Sequence, residues 1–503
     1  MALKRKETRE LNNTNLIRLE ALHGNSPLNN RILEYSVPSA SMGLNFVNSV
    51  RNSLRFTFKI HRSTRPPPAQ DGQEGQDGLW SAWVEVTNDA HLESLQLSDN
   101  YCGFFLESCD FTNGVELVKN STISPKIRPL LESYILAHSH SDVARYFRMT
   151  PRDAVNFSSF EDEFKSGDAS FTDFKKNLFS AGNSRFTVFY RPFFHTIPFL
   201  ASFSDENVPR ETVIPISNSG QGQLVRVYLH NMKAGEQGTF LSSSDANVRY
   251  WLQLVDVDLF VKAVNLSSSF SVALAKKMRA SSGIIPFPGL CLRSSIYNLP
   301  LNGNNLDCTF TNVHMPSHIV FIPVKKCLVT VSNLRYNSTP WRISDIPKLN
   351  IASMDYFFKE RNFRSTRSVM SYDYDKESAQ EIRHSFMENA PFFGWQPKPG
   401  IVESIYKNKY AYPAVEIIPF GIWDETGYRQ GGSTLAFPAE SRNLPNDFYK
   451  TAGELRVKVN FQTPPQVDQL MIIVCLAYND DVPFATFNVS DKTIESRHSL
   501  WRR

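Results

Sequence analysis

Two clusters of side chains in this sequence have the composition of metal ligands. His138 and His140 are the densest histidine pair, but the HExxH pattern of zinc proteases is absent. Asp373, Asp375 and Glu377 occupy alternate positions, which suits Ca²⁺, yet the glycine and the distal glutamate of an EF-hand loop are missing. We therefore interpret the histidines as structural residues at the end of a predicted helix, and the acidic triplet as a solvated loop.

A third candidate is a pair of acids inside a strongly β-like segment. Asp256 and Asp258 flank Val257, so their carboxylates would share one face of a strand and could form an acid/base pair. A polar strand face or a subunit contact is the favoured interpretation. The GxSxG, Walker A and GxGxxG patterns are absent, while a Ser-His-Asp triad is defined by geometry and stays open. Together with the β-architecture of the chain, the missing motifs predict a non-enzyme with no catalytic residue, cofactor or metal ligand.

The composition is that of a globular protein with a large core. A chain of 503 residues is too long for one hydrophobic core and predicts two or three domains. Aromatic residues make up 12%, with 37 Phe, which favours β-structure. The net charge is only +4, with both signs spread along the chain, whereas a dedicated nucleic-acid binder usually has a concentrated basic face. This balance suits a protein that stays soluble at high copy number.

Cysteine usage and hydropathy bear on the cellular compartment. No pair of cysteines has CxxC spacing, so we expect no zinc site and predict a reducing compartment. The six cysteines are Cys102, Cys109, Cys291, Cys308, Cys327 and Cys475. The basic start of the chain is not followed by the apolar region of a secretory signal, and no stretch approaches the roughly 20 apolar residues of a membrane span.

Short strands separated by turn signals predict an all-β fold. Leu54–Ile60 alternates strictly, so that Leu54, Phe56, Phe58 and Ile60 share one face. Further strands are predicted at residues 79–86, 223–229, 250–264, 318–324, 328–334, 454–461 and 470–478. Helices are predicted at residues 16–22, 127–147 and 377–389, and an exposed Pro- and Gly-rich loop at residues 64–78.

The two halves of the chain end in the same way. An alternating strand at 223–229 is followed by a longer, more apolar strand at 250–264, and residues 454–461 and 470–478 repeat this arrangement. The polar, Ser-rich stretch Asn265–Phe270 lies between the halves and is the predicted junction. No repeat is visible residue by residue, so the similarity indicates duplicated architecture only. Many short strands at this spacing are typical of β-sandwiches or jelly rolls.

Four parts of the sequence carry a resemblance to a known family. They are Ile32–Pro38 with Leu54–Ile60, Gly114–Leu136, Arg185–Phe194 with Val213–Ile216 and Val225–Leu229, and Gly453–Phe461 with Leu470–Tyr478. In their order they resemble the double-jelly-roll capsid proteins of the Polinton (Maverick), adintovirus and adenovirus-hexon-like group. The resemblance covers most of residues 32–480. The loop at 64–78 and Asn479–Asp481 after the last strand depart from it, which leaves the virus group open.

The resemblance implies an all-β fold of two tandem jelly-roll β-barrels with a few short helices and extended terminal arms. The implied division is an N-terminal arm at 1–30, a first jelly roll at 31–264, a second at 265–484 and a C-terminal tail at 485–503. The implied function is that of a major capsid protein, assembled inside the host cell and located in the virion capsid. Homotrimers would form pseudo-hexagonal capsomers that tile an icosahedral shell enclosing DNA.

The partners that the resemblance implies are further copies of the chain, neighbouring capsomers and penton or minor capsid proteins. The basic ends, Lys4–Arg9 and Arg497–Arg503, are candidates for contacting a neighbouring capsomer, a minor protein or packaged DNA. The simpler alternative is that they are solvated termini.

Two other functions are left open by the sequence. The first is a minor or vertex capsid protein, which one jelly roll with appended domains would indicate. The second is a carbohydrate-active β-sandwich enzyme or lectin, in which aromatic side chains line a groove. The candidates for such a groove are Trp80, Trp83, Trp341 and Trp395.

Overall fold

The computed structural model describes strands from both halves of the chain and some of the segments that join them. The described residues are 11–24, 31–37, 45–48, 52–65, 80–87, 89–92, 94–97, 101–112, 116–119, 185–190, 212–214, 223–230, 241–266, 268, 269, 272, 273, 276, 284–287, 291–299, 301–313, 318–325, 350–362, 416–419, 422–424, 427–429, 453–463, 470–478, 485–488 and 493–496. Most of them lie in β-strands, which confirms the predicted all-β class.

The first half of the chain contributes thirteen of the described strands. Their bounds are β1 Leu11–Leu19, β2 Ile32–Val37, β3 Asn45–Asn48, β4 Ser53–Thr64, β5 Val84–Glu85, β6 Leu95–Leu97, β7 Leu106–Thr112, β8 Glu116–Lys119, β9 Arg185–Tyr190, β10 Thr212–Ile214, β11 Gln223–Leu229, β12 Leu241–Ser243 and β13 Val248–Leu266. Two 3₁₀ helices, Asp89–Leu92 and Tyr101–Phe105, lie between β5 and β7.

Eight of these strands form two antiparallel four-stranded arrays. One runs in the order β1–β13–β4–β9, and the other in the order β2–β11–β7–β8. Strands β3, β10 and β5 extend the first array, while β6 and β12 form a separate pair. Lettered along the chain, the eight strands are β1 (B), β2 (C), β4 (D), β7 (E), β8 (F), β9 (G), β11 (H) and β13 (I). The two orders are therefore B–I–D–G and C–H–E–F. This order defines a jelly roll.

The second half of the chain repeats this topology. Its strands are β14 Ile284–Phe287, β15 Cys291–Leu299, β16 Asn305–Val313, β17 His318–Lys325, β18 Asn350–Phe358, β19 Arg361–Asn362, β20 Glu416–Pro419, β21 Ile422–Asp424, β22 Gly427–Arg429, β23 Gly453–Thr463, β24 Leu470–Tyr478, β25 Ala485–Asn488 and β26 Thr493–Ser496. Two sheets run in the orders β15–β24–β17–β20 and β16–β23–β18–β19, which are again B–I–D–G and C–H–E–F. The chain is therefore a double jelly roll.

Burial in the first barrel follows the predicted alternation of β4. Its four inward side chains are each at most 2% exposed: Leu54, Phe56, Phe58 and Ile60. The ring of Phe58 lies 5.9 Å from that of Phe56 and 5.1 Å from that of Phe105, centroid to centroid. Burying each of these side chains contributes roughly 1.5–3 kcal/mol, so this strand is a main source of the barrel's stability.

Tyr35 joins the two sheets of the first barrel. Its side chain on β2 is fully buried, and its hydroxyl donates a hydrogen bond of 2.8 Å to the carbonyl oxygen of Val257 on β13. Burial raises the pKa of Tyr35 well above its usual value. The hydroxyl therefore stays protonated and keeps donating across the barrel.

The second barrel is packed by the same alternation. On β16 and β23 the buried apolar side chains occupy alternate positions: Leu306, Cys308, Phe310, Leu455, Val457, Val459 and Phe461. Burial raises the pKa of Cys308 to about 12, so its thiol stays protonated and behaves as a small core residue. The strand pairs that end the two halves, β11 with β13 and β23 with β24, are strands H and I of their barrels. The predicted similarity of the two halves is thus confirmed.

The N-terminal segment differs from its prediction. A short helix was predicted at residues 16–22 within an arm at residues 1–30, but Leu11–Leu19 is strand β1 and pairs with β13 from Leu266 to Leu259. The helix prediction is wrong because leucines at helical spacing also fit a strand whose partner supplies the hydrogen bonds. Strand β1 lies within the predicted N-terminal arm and is strand B of the first barrel.

The C-terminal tail is also partly built into the fold. Strands β25 and β26 lie within the predicted tail, and they form a three-stranded sheet with β14. Strand β13 ends at Leu266, two residues beyond the predicted division at residue 264. The helices predicted at 127–147 and 377–389, the strand at 328–334 and most of the loop at 64–78 lie outside the described residues.

A two-residue turn in the second barrel has an unfavourable backbone. Lys359 and Glu360 join β18 to β19 with φ angles of 49° and 66°, a conformation that glycine and asparagine adopt far more readily. The turn is held by a 2.9 Å hydrogen bond from the Lys359 backbone N–H to the carbonyl oxygen of Glu454. The side chain of Lys359 lies over Gly453, where an added Cβ would come within 2.5 Å of its Cγ.

The turn supports a prediction about stability. Replacing Glu360 by glycine removes the left-handed strain and is expected to stabilise the second barrel by about 1 kcal/mol, net of the greater freedom of glycine in the unfolded chain. Replacing Glu360 by valine should destabilise it, because a β-branched residue tolerates this conformation poorly. Urea unfolding followed by fluorescence measures both changes. A glycine variant less stable than the original would contradict this account of the turn.

Candidate functional site

The two acids predicted to share a strand face have different surroundings. Asp256 is half-buried, whereas Asp258 is only 1% exposed. Both lie on the outer face of β13, because Val257 and Leu259 between and after them point into the core. A register shift between Leu254 and Asp256 marks a β-bulge just before the pair.

The carboxylate of Asp258 is bound by two arginines from the flanking strands. Arg18 on β1 approaches Oδ1 with Nη2 at 2.7 Å and Nε at 2.8 Å. Arg55 on β4 donates to Oδ2 through Nε at 2.9 Å and also through Nη2. Hydrogen bonding to Asp258 raises the pKa of Arg18 above its usual value. A carboxylate held by two guanidinium groups serves a structural purpose, and it links strands B, I and D.

A second pattern of ion pairs joins strands C and H in both barrels. In the first barrel, Nε of Arg226 on strand H lies 2.7 Å from Oε1 of Glu34 on strand C. In the second, Nε of Arg456 on strand H donates to Oδ1 of Asp307 on strand C at 2.8 Å. This hydrogen bond lowers the pKa of Asp307 below its usual value. The two jelly rolls therefore share a C-to-H ion pair as well as a strand order.

A tryptophan platform lies on the outer face of the B–I–D–G sheet of the first barrel; it consists of Trp80, Trp83, Trp251, His61 and Arg249. The His61 and Trp251 rings are stacked with centroids 4.7 Å apart, and Trp83 meets Trp251 edge-on at 6.2 Å. The guanidinium carbon of Arg249 lies 3.5 Å from the centroid of Trp80. All five side chains are half-buried. The structure thus places Trp80 and Trp83 together, as the groove hypothesis requires.

Backbone and side-chain hydrogen bonds fix this platform to the barrel. The backbone N–H of Ser81 donates to the carbonyl of Thr64 at 2.9 Å, and the hydroxyl of Ser63 donates to the carbonyl of Ser81 at 2.7 Å. The N–H of Val86 donates to the carbonyl of Ile60 at 2.8 Å. Segment 80–87 is therefore pinned to β4 at both ends, which pre-orders the rings that it carries.

Polar pairs border the platform. Lys59 Nζ lies 2.7 Å from Glu85 Oε2, and His61 Nε2 lies 2.7 Å from Gln253 Oε1. Trp251 and His61 were not singled out from the sequence, although the alternation of β13 and β4 places both on the outer face. Their proximity to Trp80 and Trp83 depends on the pairing of β4 with β13 and cannot be deduced from either segment alone.

The remaining candidates from the sequence lie outside the described residues. They are His138, His140, Asp373, Asp375, Glu377, Trp341, Trp395, Lys4–Arg9 and Arg497–Arg503. Within the described residues, no group of three or more His, Cys, Asp or Glu side chains is arranged to hold a metal ion. Cys102, Cys109 and Cys308 are buried cysteines that are not in disulfide bonds. The helices among the described residues include none that is long and apolar enough to span a membrane.

Known proteins that are similar to this chain are found among solved structures. No family model matches the chain, and no curated protein does. The fold is similar to that in the cryo-EM structure of the Sputnik virophage, at 10% identity and a TM-score of 0.45, covering 96% of this chain and 88% of that one. It is also similar to the mavirus major capsid protein, at 8% identity and a TM-score of 0.40, covering 97% and 92%.

A third similar structure is the PBCV-1 virus capsid, at 9% identity and a TM-score of 0.41, covering 93% of this chain and 94% of that one. Each of these TM-scores is below 0.5, so the assignment of a double jelly roll rests on the strand order of the two barrels.

Proposed function

We propose that this chain is a major capsid protein that forms homotrimeric, pseudo-hexagonal capsomers. The observation that carries the proposal is the presence of two jelly rolls with the same strand order in one chain. Three such chains would present six similar barrels around one axis, which lets them tile a shell with near-hexagonal units. Closed, symmetric assemblies are the usual outcome of repeated identical contacts.

The packing of the barrels supports this role. A jelly roll pairs most of its strands within two sheets and leaves few open edges, which suits a protein held at very high local concentration. The second complete barrel favours a major capsid protein over a minor or vertex protein built from one jelly roll. The engagement of Asp258 by two arginines favours a structural role over acid/base catalysis at this strand.

Further details belong to the same proposal. The capsomers would assemble inside the host cell into an icosahedral shell enclosing DNA, with penton and minor capsid proteins as partners. The basic segments Lys4–Arg9 and Arg497–Arg503 would contact neighbouring capsomers, minor proteins or packaged DNA. We also propose a division into two barrels near residue 265, with Leu11–Leu19 now included in the first barrel.

Oligomeric state provides the direct test. Size-exclusion chromatography with light scattering is expected to give a particle of about 172 kDa, three times the chain mass of 57.3 kDa. Electron microscopy at high protein concentration should then show pseudo-hexagonal capsomers or shells. A stable monomer of 57.3 kDa that forms no particles would overturn the capsid proposal.

A further inference from the structure

We propose that the C-terminal hairpin, formed by β25 and β26, is a clasp that holds the two jelly rolls in a fixed relative position. On one side of the hairpin, β25 pairs with β14, which lies just before strand B of the second barrel. On the other side, Cα atoms of β26 come within 8 Å of those of β8, strand F of the first barrel. Among the described strands, no other pair from opposite halves of the chain is in such extensive contact.

The covalent connection between the barrels is a single exposed segment. It comprises residues 267–283, between the end of β13 and the start of β14. Its described positions are helical and exposed to solvent: Ser268, Ser269, Val272, Ala273 and Lys276. Domains that are joined by one linker move relative to each other unless a further contact restrains them. The contact of β26 with β8 gives the chain a second connection between its halves, as a clasp requires.

The hairpin contacts the first barrel at the edge of a sheet. Strand β8 is the last described strand of the C–H–E–F sheet. Edge strands carry unpaired backbone groups, so proteins keep them short or cover them. In the second barrel, strand F is β19, which is only Arg361–Asn362, whereas β8 is the longer Glu116–Lys119 and lies beside β26. The contact also supports the hairpin, because two strands alone are marginally stable in water.

The clasp goes beyond the proposed capsid role, because a contact within one chain restrains the barrels in any assembly. It nevertheless has a consequence for the proposed capsomer. Six barrels around one axis require the two barrels of each chain to keep a constant angle. A chain that is already held at this angle loses less conformational freedom when it associates.

A proline in the central strand of the clasp tests its contact with the first barrel. Thr486 on β25 lies opposite both Pro286 on β14 and Glu495 on β26. Thr486→Pro removes a backbone N–H from the middle of this sheet, which a central strand does not tolerate. In the full chain, hydrogen exchange with mass spectrometry is expected to show β14 and β8 exchanging about tenfold faster, while β4 and β16 keep their wild-type rates. The matched control, Thr486→Val, keeps the N–H and should behave as wild type.

Two truncated chains test whether the clasp restrains the barrels. A chain ending at Phe484 lacks the hairpin, whereas a chain ending at Ser496 keeps it and loses only the basic segment that follows. Small-angle X-ray scattering is expected to give a larger maximum dimension for the chain without the hairpin. The comparison uses fractions of the same oligomeric state, identified by light scattering.

Three results would overturn the inference. The first is a wild-type exchange rate of β8 in both Thr486→Pro and the chain ending at Phe484. The second is an identical scattering profile for the two truncated chains. The third is faster exchange of β4 and β16 as well, since the hairpin would then belong to the barrel cores. Exchange of β8 is measured within one chain, so a monomeric wild-type protein would contradict the capsid proposal and leave this test intact.

Discussion

Replacing Phe58 by alanine is expected to lower the free energy of unfolding of the first barrel by about 3–5 kcal/mol. Phe58 is fully buried at the centre of β4, with the ring of Phe56 on one side and the ring of Phe105 on the other. Removing the ring takes away its burial energy and leaves a cavity. Neighbouring β-strands, fixed by their hydrogen bonds, can close such a cavity only partly.

The measurement is denaturant unfolding followed by hydrogen exchange with mass spectrometry, in which peptides from β4 and β13 report on the first barrel and peptides from β16 and β23 report on the second. The matched core variant is Phe310→Ala in the second barrel, where Phe310 is 2% exposed. It should leave the transition of the first barrel in place while destabilising the second barrel. Val84→Ala, at a side chain that is 65% exposed, should change stability by less than about 0.5 kcal/mol. A Phe58→Ala protein as stable as wild type would contradict the described core.

Replacing Asp258 by alanine is expected to destabilise the first barrel by about 3 kcal/mol, because it leaves two arginines close together without their shared carboxylate. For a barrel of this size, the loss corresponds to a fall of roughly 6–12 °C in the midpoint of thermal unfolding. The effect should concentrate on β1, since Arg18 is its ionic link to β13. Hydrogen exchange of the β1 amides, measured by mass spectrometry, would detect this local loosening.

Two further variants sharpen this test. Asp256→Asn changes the neighbouring, half-buried acid on the same strand face and should have a small effect. Arg55→Met combined with Asp258→Ala removes one of the two unpaired cations and should restore part of the lost stability, since a buried ion pair can be replaced by apolar groups at little cost. If Asp258→Ala and Asp256→Asn have equal effects, the link between strands B, I and D is not as described.

Local patterns in the sequence predicted the strands well and their partners poorly. The alternation of Leu54, Phe56, Phe58 and Ile60 marks β4 because burial on one face imposes a period of two. The helix predicted at residues 16–22 was wrong because the identity of β1 is decided by β13, about 250 positions away. Hydrophobic spacing carries no information about such a distant partner.

The same limit applies to the sites. Asp256 and Asp258 were recognised as a pair, but the role of Asp258 depends on Arg18 and Arg55, which are 240 and 203 positions away in the sequence. Likewise, Trp80 and Trp83 were recognised as candidates for ring stacking. Trp251, which completes the platform, enters it only through the pairing of β13 with β4. Residue type indicated the chemistry in both cases, and strand pairing determined its location.

The pairing of β1 with β13 also sets a minimum time for completing the first barrel during synthesis. Leu11 leaves the ribosome 255 residues before its partner, Leu266. At typical rates of about 5–20 residues per second, that interval lasts roughly 13–50 s. During this interval, strand B has no partner strand with which to form hydrogen bonds. The apolar side chains of the unfinished sheet stay exposed and can contact other chains that are being synthesised on the same mRNA. We therefore expect that chaperones which protect the first barrel until its last strand arrives increase the yield of folded protein.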